Sequence, residues 1–169
     1  MLRLEDLLIV RGDEKYAELA VFVDLLRALA MIQQTAHWQT SGPNFMGDHL
    51  LFERLYNETN AEVDVVAEKA AGVGSARLLE LRYSLENMKR FAVAVDEVTT
   101  LGTPSEVSPH VRRVWKAETA FLKAGDKLME MLEKRGLLTR GVENLLGAVL
   151  DKHEGHVYLL KQRLGSNNP

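Results

Sequence analysis

The sequence predicts an all-α fold, a four-helix bundle with one long crossover that carries a helix of its own. Three observations lead there. Long stretches with 3.6-residue apolar periodicity alternate with turn signals. Pro occupies only four of 169 positions, and aliphatic and aromatic residues make up 46% of the chain. A single domain of this size buries a substantial core without staples. Two long helices, a connection with its own helix, and two more long helices make a bundle with one crossover.

The elements follow in order. The first helix is expected from about Asp13, its N-cap, to Thr40, where Ser41-Gly42-Pro43 stops it. The second runs from near Asn44 to Ala71, and Gly72 and Gly74 break it. Ser75 caps a further helix from about Ala76 to Val98, and Thr99 to Pro109 is the clearest loop. Ser108 and Pro109 form the N-cap and first turn of the next helix, which runs to Lys134 before Gly136. Thr139 caps the last, which reaches Leu164 before Gly165. Residues 1–169 read as one domain, with 1–12 as an N-terminal extension and 165–169 as a polar tail.

Composition removes several function classes. The absence of Cys excludes disulfide scaffolds, thiolate zinc sites and Cys nucleophiles. A net charge of −3 without a run of five Lys/Arg advertises no nucleic-acid surface. The N-terminus carries Glu5 and Asp6 inside its apolar stretch and does not read as a signal peptide. No uninterrupted apolar run approaches the roughly 18–20 residues of a membrane span. The expectation is a soluble, cytoplasmic protein with no membrane association.

Chemistry concentrates on the second helix. On a wheel of about 100° per residue, Phe52, Leu55, Tyr56, Thr59, Val63, Val66 and Ala70 form the bundle-facing stripe. Arg54, Glu58, Glu62 and Lys69 are expected to face water. A third arc holds His49, Glu53, Asn57, Asn60, Asp64 and Glu68. His49/Glu53 and Asp64/Glu68 are i,i+4 pairs, each projecting from adjacent turns. His49 and Glu68, however, lie about 28 Å apart along the axis at 1.5 Å per residue, so they cannot share an ion within one chain. Two antiparallel copies crossing between Glu58 and Thr59 would set Glu53 beside the partner's Asp64 and His49 beside the partner's Glu68. The spacing therefore permits a symmetric dimer with two equivalent sites. Carboxylates with imidazole and no thiolate suit Fe(II) and, less selectively, Zn(II) or Mn(II); a solvated polar face is the plainer alternative. On the first helix, Leu19, Phe22, Leu26 and Leu29/Ala30 continue through Gln33 to His37. A lone His there commonly serves as a hydrogen-bonded core residue, but the Ser-Gly-Pro reversal could bring it close to His49.

The run from Ala36-His37-Trp38 to Asn44-Phe45, followed by His49, Phe52-Glu53, Leu55-Tyr56, Asp64 and Ala67-Glu68, resembles the signature of the Dps (DNA-binding protein from starved cells) family of miniferritins. The stretch Asp151-Lys152-His153 to Tyr158-Leu159-Leu160 resembles that family's last helix. The resemblance spans most of residues 15–165 and implies a ferritin-like bundle in a twelve-subunit shell. It implies oxidation of Fe(II), with hydrogen peroxide or oxygen as oxidant, and storage of ferric mineral. Carried over, the iron ligands are His37, His49 and Glu53 facing Asp64 and Glu68 of a two-fold mate, with His37, Asp64 and Glu68 as the principal catalytic set. His49 and Glu53 hold a second, weaker ion or orient water and peroxide, and Trp38 shields the site or intercepts a stray electron.

Three departures bear on this. The family usually has Asp where Glu53 stands. The region expected to line iron pores reads Arg135, Arg140, Glu143, Asn144, poor for attracting cations. Lys-rich tails that let some members bind DNA are missing, so DNA binding is not expected. Two other functions remain in view: a catalytically weak shell or scaffold subunit, and a nucleoid DNA binder. Gly72-Val73-Gly74-Ser75 is read as a helix stop rather than a dinucleotide loop. His153-Glu154-Gly155-His156 lacks zincin spacing, and no Glu-x-x-His occurs, which argues against the larger ferritins with a di-iron site inside one bundle.

Overall fold

A computed structural model describes residues 14–99 and 108–165 of the chain. The described residues form five α-helices and one 3₁₀ turn, without strands. The helices are α1 (Ala17–Gln39), α2 (Phe45–Val73), α3 (Leu81–Thr99), α4 (Pro109–Lys134) and α5 (Arg140–Leu164), with the 3₁₀ turn at Ala76–Leu79. The all-α bundle with an extra helix in its long connection is thus borne out. Around the bundle α1 packs on α2 and α4, α5 packs on α2 and α4, and α3 lies over α1 and α4.

Most boundaries follow the expected caps. Ser108 Oγ accepts from the His110 N–H and Thr139 Oγ1 from the Val142 N–H, so α4 and α5 begin as predicted. α4 ends in a Schellman arrangement: the Gly136 N–H reaches Glu133 O at 2.9 Å and the Leu137 N–H reaches Leu132 O at 2.8 Å. Gly136 has φ 66°, a left-handed conformation that favours Gly there.

Other boundaries differ. α2 runs through Gly72 to Val73, and Gly74 is its C-cap. Ser75 does cap, but it caps a single 3₁₀ turn, and α3 starts afresh at Leu81. α1 begins at Ala17 behind Tyr16, itself left-handed at φ 66° with no side-chain cap. The expected cap Asp13, the 1–12 extension, most of the Thr99–Pro109 loop (100–107) and most of the tail (166–169) lie outside the described residues.

α1 is the buried strut of the molecule. Leu19, Phe22, Leu25, Leu26 and Leu29 are fully buried, and Phe22 meets Phe121 edge-on at 5.2 Å between centroids. By length and composition α1 is apolar enough to cross a membrane, with a mean hydropathy of 1.4 in its most apolar window. Asp24, Arg27 and Gln33 punctuate the helix, so its apolar residues form no single uninterrupted run. Here 78% of that window is buried inside the bundle. At Gly125 the helices close tightly: a Cβ would lie 2.5 Å from Leu150 Cδ2 and 3.2 Å from Phe22 Cε2.

Polar pins orient the outer elements. Asp24, fully buried on α1, accepts from Ser84 Oγ at 2.5 Å and Asn87 Nδ2 at 2.7 Å, which fixes α3 to the bundle. Asp48 at the start of α2 accepts from Arg163 Nε at 2.5 Å and Nη2 at 3.3 Å, tying α2 to the end of α5. Asp24→Ala strands two buried donors, at about 1–3 kcal/mol each. Urea unfolding monitored by far-UV circular dichroism should show that loss, with α3 the first segment to lose hydrogen-exchange protection.

Candidate functional site

At the end of α1, Thr40 Oγ1 donates to Ala36 O at 2.8 Å and the chain leaves the helix in an extended conformation. Gly42, at φ 87°, completes the reversal, and Gly42 O accepts from the Phe45 N–H at 3.0 Å. The turn brings His37 and His49 face to face, with ring centroids 3.7 Å apart and planes inclined by 23°. Each ring donates from Nδ1 to the other residue's backbone carbonyl, His37 to His49 O at 2.9 Å and His49 to His37 O at 3.2 Å. A carbonyl only accepts, so Nδ1 carries the hydrogen in both rings. In the neutral form of either ring the lone pair is then on Nε2, the arrangement of a ligand oriented by its other nitrogen. Tyr56 lies edge-on to His37 at 5.4 Å and Phe45 packs on His49 at 4.9 Å.

Exposed apolar side chains adjoin the pair in sequence. Trp38, Met46 and Leu50 are 70%, 62% and 54% exposed. Glu53, one turn beyond His49, is half-buried, whereas Asp64 and Glu68 are exposed farther along α2. Of the five expected ligands, one chain therefore brings together the two imidazoles and leaves Asp64 and Glu68 away from them.

A second polar constellation fills the bundle interior. Glu118 on α4 is fully buried, as is His153 on α5, and His156 is 1% exposed. Glu118 Oε2 accepts from His153 Nδ1 at 2.7 Å, and Oε1 accepts from His156 Nδ1 at 3.1 Å and from Gln33 Nε2 at 2.7 Å. The far nitrogens are held by α2: His153 Nε2 donates to Glu62 Oε2 and His156 Nε2 to Glu58 Oε2, both at 2.8 Å. Burial alone would push the His153 imidazolium down, yet hydrogen bonds and charge from Glu118 and Glu62 outweigh it and raise its pKa to about 9. Burial raises Glu118, but its bonds to His153 and His156 win and leave it below the ordinary carboxylate range. Burial raises Glu58 too, but hydrogen bonds and charge from His156 and Arg54 together outweigh it and lower its pKa. Lys152 Nζ lies 3.0 Å from Glu62 Oε1 and Arg54 Nε 2.8 Å from Glu58 Oε1. Among the described residues, Glu118, His153 and His156 form the group able to offer three ligand atoms to one ion, all within 4.8 Å of one another.

No family profile matches the chain. It is 40% identical to the DNA protection during starvation protein of Brevibacillus brevis over 50 residues, which cover 30% of this chain and only 34% of that one. It is 29% identical to general stress protein 20U of Bacillus subtilis over 129 residues, 76% of this chain and 82% of that one. The structure of Dps from Listeria monocytogenes superposes with a TM-score of 0.69 at 20% identity, covering 91% of this chain and 96% of that one. The chain has the Dps fold. The resemblance read from its sequence is therefore borne out.

Within this Dps fold one expectation fails. Glu62 was expected to face water but is 6% exposed and anchors the interior cluster, with Glu58 half-buried beside it. On the wheel Glu62 stands only about 20° from Leu55, so its angle was already that of the core edge. Charge type, not angle, suggested solvent. His153 and His156 lack zincin spacing, and their i,i+3 placement on one helix face is the signal that the sequence offers for them. In the expected pore region Arg135 Nη1 pairs with buried Glu18 at 2.6 Å, and Arg140 with Glu143 at 3.1 Å.

Removing Glu118 leaves two imidazoles and Gln33 facing one another in the interior. In chelator-treated protein Glu118→Ala should cost about 3–5 kcal/mol, the usual result of breaking one side of a buried ion pair. Denaturant unfolding checks this.

Proposed function

We propose that this protein is an iron-oxidising, iron-storing miniferritin, a closed homo-oligomer whose oxidation site is completed across a two-fold interface. One observation carries the reading: both Nδ1–H groups of the stacked His37/His49 pair are engaged by backbone carbonyls, which leaves Nε2 of each ring as the atom available to a ligand. Trp38, Met46 and Leu50, exposed apolar side chains close to the pair in sequence, are surface suited to burial against a second copy. Asp64 and Glu68 lie exposed near the other end of the same helix, where an antiparallel copy of α2 would present them to the partner's imidazoles.

In this reading Fe(II) is the substrate. Asp64 and Glu68 bind it and compensate the rising charge as it becomes Fe(III), and His37 of the opposite subunit completes the set. His49 and Glu53 hold a second, weaker ion or orient water and peroxide. Hydrogen peroxide takes up two electrons, so a paired position lets two Fe(II) be oxidised together without releasing a radical. The likeness to Dps suggests a twelve-subunit shell that keeps the ferric product as mineral, works in the cytoplasm and limits oxidative damage. The chain's net charge of −3 makes DNA an unfavoured partner.

Light scattering at micromolar concentration should find a closed oligomer, a dodecamer in this reading; a monomer alone would remove the basis of the shared site. Sharing itself is tested by mixing. His37→Ala and Asp64→Ala/Glu68→Ala chains should each oxidise Fe(II) slowly under anaerobic loading followed by peroxide. Shells co-assembled from both should recover up to about one quarter of wild-type activity, because half the dimers are mixed and each mixed dimer has one intact site. A verified mixed shell as inactive as its parents places the site within one chain. A wild-type shell that assembles but does not oxidise iron is a scaffold.

A further inference from the structure

The interior cluster lies apart from the α1–α2 reversal and takes no part in the function proposed above. Its wiring is more specific than a helix pin requires. Both imidazoles turn Nδ1 toward the same carboxylate, Glu118, and each has its Nε2–H held by a different carboxylate, Glu62 for His153 and Glu58 for His156. Metal-binding His side chains are oriented in this way, the outer carboxylate fixing the tautomer and the ring angle. Beside them Gln33, fully buried, donates to Glu118 but leaves Oε1 without a partner. A buried acceptor so left carries a desolvation penalty that a cation or water would relieve.

We propose that Glu118, His153 and His156 form a second metal site, inside the bundle of each subunit, for one divalent ion of the Zn(II)/Fe(II) class. The ligand atoms lie within 4.8 Å of one another, and donors about 2.1 Å from a tetrahedral ion lie ~3.4 Å apart, so modest side-chain closure seats the ion. Two imidazoles, a carboxylate and an amide or water oxygen, without thiolate, suit a borderline cation. The ion binds Nδ1 of each ring and an oxygen of Glu118, and the hydrogens those nitrogens carried leave to solvent. Gln33 Oε1, buried without a hydrogen-bond partner on a side chain bonded to Glu118, is the candidate for the fourth position. Glu62 and Glu58 stay in place as positioning residues, themselves held by Lys152 and Arg54. The ligands come from α4 and α5 of one chain, so this site, unlike the intersubunit one, needs no second copy.

The test uses full-length, chelator-stripped protein carrying His37→Ala/His49→Ala/Asp64→Ala/Glu68→Ala, which removes the other proposed site. Co(II) is the probe, because its visible bands report nitrogen and oxygen coordination. Expected is about one tightly held Co(II) per chain, weakened at least about tenfold by adding His153→Gln/His156→Gln. Failure of the four-fold variant to bind Co(II), with its circular dichroism intact, overturns the proposal. So does binding that the Gln pair leaves unchanged. Should the Gln variant not fold, anomalous scattering from Zn(II)-soaked crystals of the four-fold variant decides: a peak among Glu118, His153 and His156 supports the site, and peaks only elsewhere overturn it. Iron oxidation is not the readout, so the intersubunit reading and this one fail independently.

Discussion

A carboxylate as deeply buried as Glu118 is stable only where donors converge on it, and here they come from two helices at once. Gln33 brings α1, His153 and His156 bring α5, and the far nitrogens of the two rings carry the network onto Glu58 and Glu62 of α2. The four bundle helices are thereby held in register by charge-assisted hydrogen bonds rather than by packing alone. An apolar bundle tolerates sliding between similar side chains, whereas a charged network of this kind is satisfied in one arrangement.

Around that centre the remaining structure divides by role. α1 supplies apolar bulk and is buried along nearly its whole length, which is why it is apolar enough to resemble a membrane span. α2 is the element with two polar edges. One edge enters the bundle through Glu58 and Glu62, and the other exports Asp64 and Glu68 to the surface while His49 is pinned at the reversal. The Asp48–Arg163 pair, immediately before His49, fixes the start of α2 to the end of α5, so the position of the imidazole pair depends on bundle assembly.

Both polar sets use the same device: a backbone or carboxylate acceptor holds one ring nitrogen and thereby determines what the other can do. At the reversal the acceptors are carbonyls, which engage Nδ1 of each ring and leave Nε2 as the nitrogen available to a ligand. In the interior both nitrogens of His153 meet carboxylates, and the ring is held as a cation to high pH. The same residue type is held by backbone at the reversal and by carboxylates inside the bundle.

Much of this was legible in the residues. Ser108, Pro109, Thr139, Gly136 and Gly165 set helix ends through local backbone chemistry, which acts within a few residues and needs no tertiary partner. The short reversal permitted the closeness of His37 and His49, and helical rise separates Asp64 and Glu68 from them. The interior cluster was not legible in the same way. Glu118, His153 and Glu62 are 35 and 91 residues apart along their bonded pairs, and no local rule says which faces of α2, α4 and α5 will meet. A Glu at the edge of an apolar stripe reads as solvent-facing until a buried imidazole from another helix offers it a proton. The sequence alone determined the long helices and most of their ends, because those depend on short-range geometry. Tertiary structure decided which charges went inside, because burial of a charge is settled only by the partners that packing delivers.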